Sequence, residues 1–446
     1  MRDAEPASDT WTKLTLITER ARREPQCQFN NLAHLLNERF LADSYHALGR
    51  DRASGVDGVT WKDYGKGLEE NLAGLVARMK AKQYKPQPSR RVYIPKDEHT
   101  KRPLGILALE DKIVQRGMAK ILEAIYEADF LECSHGFRPE RSCHTARQQV
   151  DRLMMTRPIN HVVEADIRQF FDRVAQRRLI RYLQRRIKDR NFLLLIWRFL
   201  KAGYLEAGQF HETEEGTPQG GNLSPILSNI FLHNVLDEWF EKDLKPTLQG
   251  ECYLIRYADD FIVLVRYQED AQRVRQALEV RFTACELELH PEKTRVLSFG
   301  RFEEENAKRS GRRDNTFDFL GFTHYCGRSR RGRFIVGRRT SRKKLRKACR
   351  AMNDWLRDIR NAKPAREWWG ILRQKLTGYY RYYGISGNMA SIRRYHAIVV
   401  RLVRKWLNRR SQRRIYYWKR FQSYLTRFPL PRPRIMVSIY TLSSAR

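Results

Sequence analysis

The sequence predicts an α+β fold, with strands and helices mixed through its first 326 residues and an α-helical region after them. Three observations carry this. Residues 161–167 and 253–265 are short runs rich in β-branched and aromatic side chains, the composition of strands. Earlier segments repeat apolar residues at helical spacing, as in Ile113, Met118, Ile121, Leu122 and Ile125. Beyond residue 344 helical spacing dominates: Leu345, Ala348, Cys349, Met352, Leu356 and Ile359, then Leu372, Leu376, Tyr379 and Tyr383, then Tyr395, Ile398, Val399, Leu402 and Trp406.

Composition narrows the function classes. With 446 residues, 41% of them hydrophobic and 11% aromatic, the chain can build a sizeable core and is not a disordered tail. Lys and Arg number 86 against 51 Asp and Glu, a net charge of +35, with a pI near 10.2. A charge of that size calls for a polyanionic partner. The longest apolar run, residues 192–197, falls far short of the roughly 20 residues of a membrane span, so no membrane association is expected. The first ten residues carry Asp3, Glu5 and Asp9 and no apolar stretch, so neither a secretory signal nor a transit peptide is expected. Seven scattered cysteines without a CxxC pair fit a reducing, cytoplasmic setting.

In chain order, Leu32, Leu35, Leu36, Phe40, Tyr45 and Leu48 mark a first helical region. Residues 53–60 form a glycine-bearing turn, and 61–79 a second helical stretch. Residues 90–95 read as a short strand, followed by a polar loop over 96–102. The helix over 113–125, the strand over 161–167 and two strands with a turn over 253–265 complete the mixed region. The Gly/Arg-rich stretch 327–339 reads as the junction to the helical region. Residues 328–350 hold twelve Lys/Arg and no acid, and basic residues again dominate 401–434, interleaved with Trp406, Tyr416, Tyr417, Trp418, Phe421 and Tyr424. Cations beside rings favour nucleic acid over a merely solvated face, because charge meets phosphates while rings stack on bases.

Chemistry concentrates at two places. Tyr257-Ala258-Asp259-Asp260 lies between CYLIR and FIVLV, a hairpin with two acids at its tip. Asp166 ends the strand of residues 161–166. A polar turn or a strand end alone would be unremarked, but the combination supplies the several oxygen ligands that two hard divalent cations, about 3.5–4 Å apart, require. Such a pair activates a 3′ hydroxyl and stabilises a leaving pyrophosphate. Lys96 and Arg102 bracket a loop whose cations could meet a triphosphate. Pro218-Gln219-Gly220-Gly221 precedes Ser224-Pro225, a good helix start. Cys133, His135, Cys143 and His144 are zinc-ligand types, but their spacing suits one tetrahedral ion poorly.

These blocks together resemble the reverse transcriptases encoded by group II introns, in a bacterial form lacking the HNH endonuclease domain. Tyr257–Asp260 is similar to their palm motif, and residues 216–225 (GTPQGGNLSP) to their PQG block. Residues 91–96 and 101–105 resemble the fingers, 135–139 (HGFRP) with 141–144 the next block, 166–172 (DIRQFFD) the first palm motif, and 319–322 (FLGF) the last. Residues 375–380 (KLTGYY) with Tyr382 and Tyr383 resemble the maturase, or X, thumb.

The resemblance implies a right-hand polymerase, with fingers and palm around a mixed sheet and a helical thumb. It implies residues 1–89 as an N-terminal helical extension and start of the fingers, 90–326 as fingers and palm, 327–410 as thumb, and 411–446 as a short basic nucleic-acid-binding segment. Implied activity is RNA-directed DNA synthesis with two Mg²⁺ ions and dNTP substrates, with binding of intron RNA to assist splicing and mobility. Asp166, Asp259 and Asp260 would be catalytic, with Ile167 joining them at the metals. Lys96, Arg102, Arg90 (or Arg91) and Gln219 would meet the incoming nucleotide. Phe170 would exclude the 2′ hydroxyl, with Phe171 as the core member of the pair. Gly220, Arg342, Lys343, Lys344, Arg346, Tyr379 and Trp418 would hold nucleic acid. Partners would be intron RNA, an RNA template with a DNA or RNA primer, and target DNA. No Cys/His-rich endonuclease motif occurs, so second-strand cleavage is not expected. A reverse transcriptase adopted for a host or phage-defence role, or a non-catalytic splicing factor, are the alternatives; the three acids speak against the latter.

Overall fold

The structure, a computed structural model, describes residues 9–95, 100–218, 220–410 and 415–439. Its strands are β1 (Ser89–Pro95), β2 (Lys101–Ile106), β3 (His161–Asp166), β4 (Tyr204–Glu206), β5 (Gln209–His211), β6 (Cys252–Tyr257), β7 (Asp260–Val265), β8 (Arg295–Ser298), β9 (Thr316–Phe319), β10 (Phe322–Arg328) and β11 (Phe334–Thr340). They form three sheets, ordered β2-β1-β4-β5, β6-β7-β3-β8 and β11-β10-β9.

The central sheet, β6-β7-β3-β8, is antiparallel throughout. Both its faces are covered, so its strands read as nearly continuous apolar runs rather than alternating ones. On one face, Val163, Ala165, Phe261, Val263 and Val265 join the large core shared with the helices Leu109–Tyr126, Ser224–Leu232 and Gln268–Ala284. On the other, Val162, Ile255, Ile262 and Leu264 pack with Ala146, Val150, Phe317 and Phe319. Each fully buried side chain of this size contributes about 1.5–3 kcal/mol.

The helical stretch expected over 61–79 is two helices, Trp61–Gly65 and Leu68–Lys80, broken around Gly67, where the backbone leaves helical geometry. The Gly/Arg-rich stretch 327–339 falls within the antiparallel hairpin β10–β11, which pairs Phe322 with Thr340 through Arg328 with Phe334.

Helices Arg342–Ala362, Ala365–Tyr383 and Met389–Asn408 follow, as the helical spacing predicts, and pack around Leu356, Trp368, Leu372, Leu376, Ile392 and Val399. A fourth helix, Trp418–Arg427, buries Phe421 in the same core. Met436 N–H and Val437 N–H then donate to the Gly384 carbonyl at 2.6 and 3.0 Å, so the C-terminal segment returns to the end of the helix Ala365–Tyr383. The bundle is tied to the β9–β11 sheet by the Arg338 guanidinium donating to the Ser386 carbonyl at 3.0 Å and by Tyr382 Oη donating to the Leu320 carbonyl at 3.0 Å.

Candidate active site

Backbone register assembles the acids. Asp166 ends β3 directly opposite Asp260, the first residue of β7. Asp260 also pairs with Tyr257, the last residue of β6. Cross-strand partners share a face, so Asp166, Asp260 and Tyr257 stand in one row across three strands. Asp259 occupies the two-residue turn between β6 and β7 beside Ala258, whose φ is +56°. That is an uncommon conformation for a residue with a side chain.

The turn is held from below. Arg256 is fully buried on the opposite face from Tyr257. Its guanidinium donates to Asp237 Oδ1 at 2.7 Å, Asn229 Oδ1 at 3.0 Å, Ser134 Oγ at 2.8 Å and the Ala258 carbonyl at 3.1 Å. Asp237 is equally buried, at the end of a π-helical turn (His233–Asp237) that continues the helix Ser224–Leu232. Asn229 Nδ2 also donates to the Gly136 carbonyl at 2.6 Å. A Cβ on Gly136 would lie 2.4 Å from the Ala258 nitrogen, so only glycine lets this segment back against the Ala258-Asp259 turn. Arg256 interrupts an otherwise apolar strand, a signal the sequence carried and that spacing arguments passed over.

Like charges crowd the row. Asp260 keeps a solvent-accessible face, yet the protein packed around its carboxyl, and then the charges of Asp259 and Asp166, push its pKa up to about 6. Lys344 and Lys293 pull the other way. Lys293 forms an ion pair with Asp166. Among the described residues no three His, Cys, Asp or Glu side chains close into a metal cage; Lys293 is the cation that engages Asp166. The donor set is nonetheless the hard oxygen type that divalent cations such as Mg²⁺ take, and the mutual repulsion is what such an ion would relieve. Ile167, expected at the metals, is buried immediately after Asp166 and bridges to Leu289.

Nucleotide-pocket residues are placed unevenly. Lys96 and Gln219 lie outside the described residues. Arg102 is exposed on β2, opposite Ile94. Arg90 is exposed and donates to the Ser54 carbonyl at 2.9 Å, away from the acids' row. Arg91 instead lines a cavity of about 300 Å³ with Gly105, Phe171, Asp172, Thr217 and Pro218, its guanidinium 3.3 Å above the Tyr204 ring. Gly220, at φ +109°, presses on β2: a Cβ there would meet the Gly105 carbonyl at 2.6 Å.

Two of the expected site residues are buried. Phe170 is the core member of its pair, 2% exposed and packed toward Phe231, whereas Phe171 is half-buried and lines the cavity. The left-handed Gln169 (φ +49°) starts the turn that orients them so. Tyr379, expected to touch nucleic acid, is a ring of the helical-bundle core, 9% exposed and stacked on Tyr395 at 3.7 Å.

The basic residues are better placed. Arg342, Lys343, Lys344 and Arg346 are all exposed on the helix that Ser341 caps, and Lys344 is close enough to act on Asp260. Trp418 is 44% exposed, with the Arg404 guanidinium 5.1 Å from its ring. His135 is held within the protein: its ring nitrogens sit 3.0 Å from Thr145 Oγ1 and 2.6 Å from Gln149 Oε1.

Comparison with known proteins gives a consistent picture. Residues 94–324 match the family model described as reverse transcriptase (RNA-dependent DNA polymerase). The chain is 36% identical over 273 residues to Protein YkfC of Escherichia coli (strain K12), covering 54% of this chain and 71% of that one. It is 37% identical over 286 residues to the group II intron-encoded protein LtrA of Lactococcus lactis subsp. cremoris, covering 51% of this chain and 47% of that one. A match of 35% over 207 residues to the putative COX1/OXI3 intron 2 protein of Saccharomyces cerevisiae covers 43% and 24%. The chain thus spans less than half the length of the Lactococcus protein.

Proposed function

The chain belongs to the reverse transcriptase family, in its group II intron-encoded branch, and from that premise we propose that it copies RNA into DNA by nucleotidyl transfer and binds intron RNA to assist splicing and mobility. The observation that carries the reading is the row Asp166–Asp260 with Asp259 in the adjoining turn, held by the buried Arg256. Asp166, Asp259 and Asp260 would hold divalent metal, which when bound supplies Lewis-acid activation of a 3′ hydroxyl and of the leaving pyrophosphate.

This chain's own residues do the rest. The Arg256 network fixes the turn that carries Asp259, next to Asp260 on the same sheet face as Asp166. Arg102 and Arg91, with Lys96, supply cations on the fingers side for a triphosphate. The glycine at 220 lets the PQG segment close on β2 without a side chain between. Lys344 and its neighbours extend positive charge from the acids along the thumb, the direction a primer–template phosphate backbone needs.

The test is primer extension with the purified chain on a DNA-primed RNA. Synthesis of cDNA with Mg²⁺ and none with chelator is expected; template binding without extension in Mg²⁺ would favour the non-catalytic splicing reading. Nucleotide capture is tested by Arg102→Ala, expected to raise the KM for dNTP several-fold while template affinity holds. Weak RNA binding with normal KM would move Arg102 to the template.

A further inference from the structure

Phe137 is out of place by the ordinary rules of burial. Cys133, Ser134, His135, Gly136 and Arg138 are all buried, yet Phe137 between them is 50% exposed. Its backbone is left-handed, at φ +54°, a conformation bulky residues rarely adopt. A cost of that kind persists only where the surroundings impose it, and such residues gather at functional sites.

The surroundings do impose it. Upstream, His135 N–H donates to the Arg256 carbonyl at 2.8 Å, Arg256 N–H to the Cys133 carbonyl at 2.7 Å, and the Gly136 carbonyl accepts from Asn229. Downstream, the buried Arg138 guanidinium grips Glu127 at 2.7 Å, the Leu131 carbonyl at 2.7 Å and the Ser134 carbonyl at 3.0 Å. Phe137 is therefore pinned on both sides by buried arginines, one of which also holds the catalytic turn.

Its location follows from register. Asp166, Asp260 and Tyr257 stand in one row across β3, β7 and β6. Ser134 bridges to Arg256 in parallel, so this segment adds beside β6 as the next element outward. The Phe137 ring lies 6.4 Å from that of Tyr257. Beyond that bridge Gly136 backs on the Ala258 nitrogen, so Phe137 follows alongside the turn that carries Asp259, with its ring beside that of Tyr257.

We propose that Phe137 is a nucleic-acid-contacting residue, its ring packing with Tyr257 against the base pair at the primer terminus. The inference rests on the polymerase reading above: if the acids hold the 3′ end, an exposed ring beside Tyr257 and the turn that carries Asp259 meets the pair that contains it. Rings of this kind tolerate any sequence, because every base has a face to stack on.

The experiment compares wild type, Phe137→Asn and Phe137→Tyr, using a short RNA template annealed to a DNA primer with a recessed 3′ end. Asparagine accepts the left-handed backbone but removes the ring; tyrosine keeps it. Phe137→Asn should keep or raise the Tm, weaken primer–template binding by about fivefold to a hundredfold in anisotropy, and leave the KM for dNTP within about twofold. Phe137→Tyr should restore binding. Wild-type affinity in Phe137→Asn, while the wild type extends primers, overturns the inference alone. So does a fall in Tm that accompanies the lost affinity and is shared by Phe137→Tyr, which would make the ring a structural prop. A wild type that does not extend primers overturns the underlying reading, and the inference with it.

Discussion

Asp260 shows how one residue couples stability to function. Its carboxyl is pushed up to about 6 by the packing around it and by Asp259 and Asp166. Near pH 7.5 its charge therefore opposes folding, because the unfolded chain would carry it at no such cost. Asp260→Asn is expected to raise the Tm while abolishing DNA synthesis, the usual trade between a site's chemistry and its stability. Mg²⁺ should raise the wild-type Tm by offsetting the same repulsion and should do so less in the variant. Calorimetry that finds neither change would mean the acids do not act on one another. The phenylalanine pair makes a second case. Phe171 lines the cavity beside Thr217 and Pro218, whereas Phe170 packs into the core. Phe171→Ala is thus expected to admit ribonucleotides, and Phe170→Ala chiefly to destabilise, by about 3–5 kcal/mol. Relaxed discrimination in Phe170→Ala alone would return the gate to the position family resemblance gives it. The acids were legible because residue type and flanking strands declared them. The choice between adjacent phenylalanines was not, because it turns on the left-handed Gln169, which no spacing reveals.

Elements follow the same division. The helix Leu109–Tyr126 and strands β3, β6 and β7 were readable because their periodicity or β-branched content was unmixed. Strands β4 and β5 are three residues each, too short for a pattern. The β10–β11 hairpin was hidden because arginines and glycines occupy a strand whose cations are paired or stacked in place. Arg338 reaches Asp151, and Arg339 lies 5.7 Å from the Tyr325 ring. That hairpin also carries a buried titratable group. His324 stacks on Phe317 at 4.7 Å, and burial, then the charges of Arg338 and Arg147, push its imidazole down to about 3. An ordinary histidine titrates near 6.5. Between those values the unfolded chain holds a proton that the folded chain does not, so this residue costs stability as pH falls through the window. His324→Phe should give a Tm profile flatter than wild type between about pH 6.5 and 4. An unchanged profile would mean that the imidazole gains its proton within the fold.

At the scale of the whole molecule, a net charge of +35 is organised rather than spread. The exposed face of the helix Arg342–Ala362 begins with Lys344 near enough to act on Asp260, while the aromatic residues that read as base-stacking partners divide between core and surface. Phe421 and Tyr379 went to the core; Trp418 stayed out. Composition announced a polyanion partner but could not tell which rings were spent on packing. A protein making around 6–10 phosphate contacts loses roughly 10³–10⁵ in duplex-DNA affinity between 50 and 200 mM salt. Replacing Arg342, Lys343, Lys344 and Arg346 by Ser is expected to flatten the slope of log K against log salt and lower RNA affinity. A folded fourfold variant with the wild-type slope would move RNA binding to the residues before Arg90. The central claim, that two acids on one row and a third in the adjoining turn carry out DNA synthesis on an RNA template, is tested most directly by Asp259→Ala assayed for extension and for RNA binding in the same preparation. Binding should persist while the extension rate falls at least about a thousandfold, the ~4 kcal/mol expected for a lost metal ligand. Extension within about tenfold of wild type, under the same Mg²⁺ and with the same template, would contradict it.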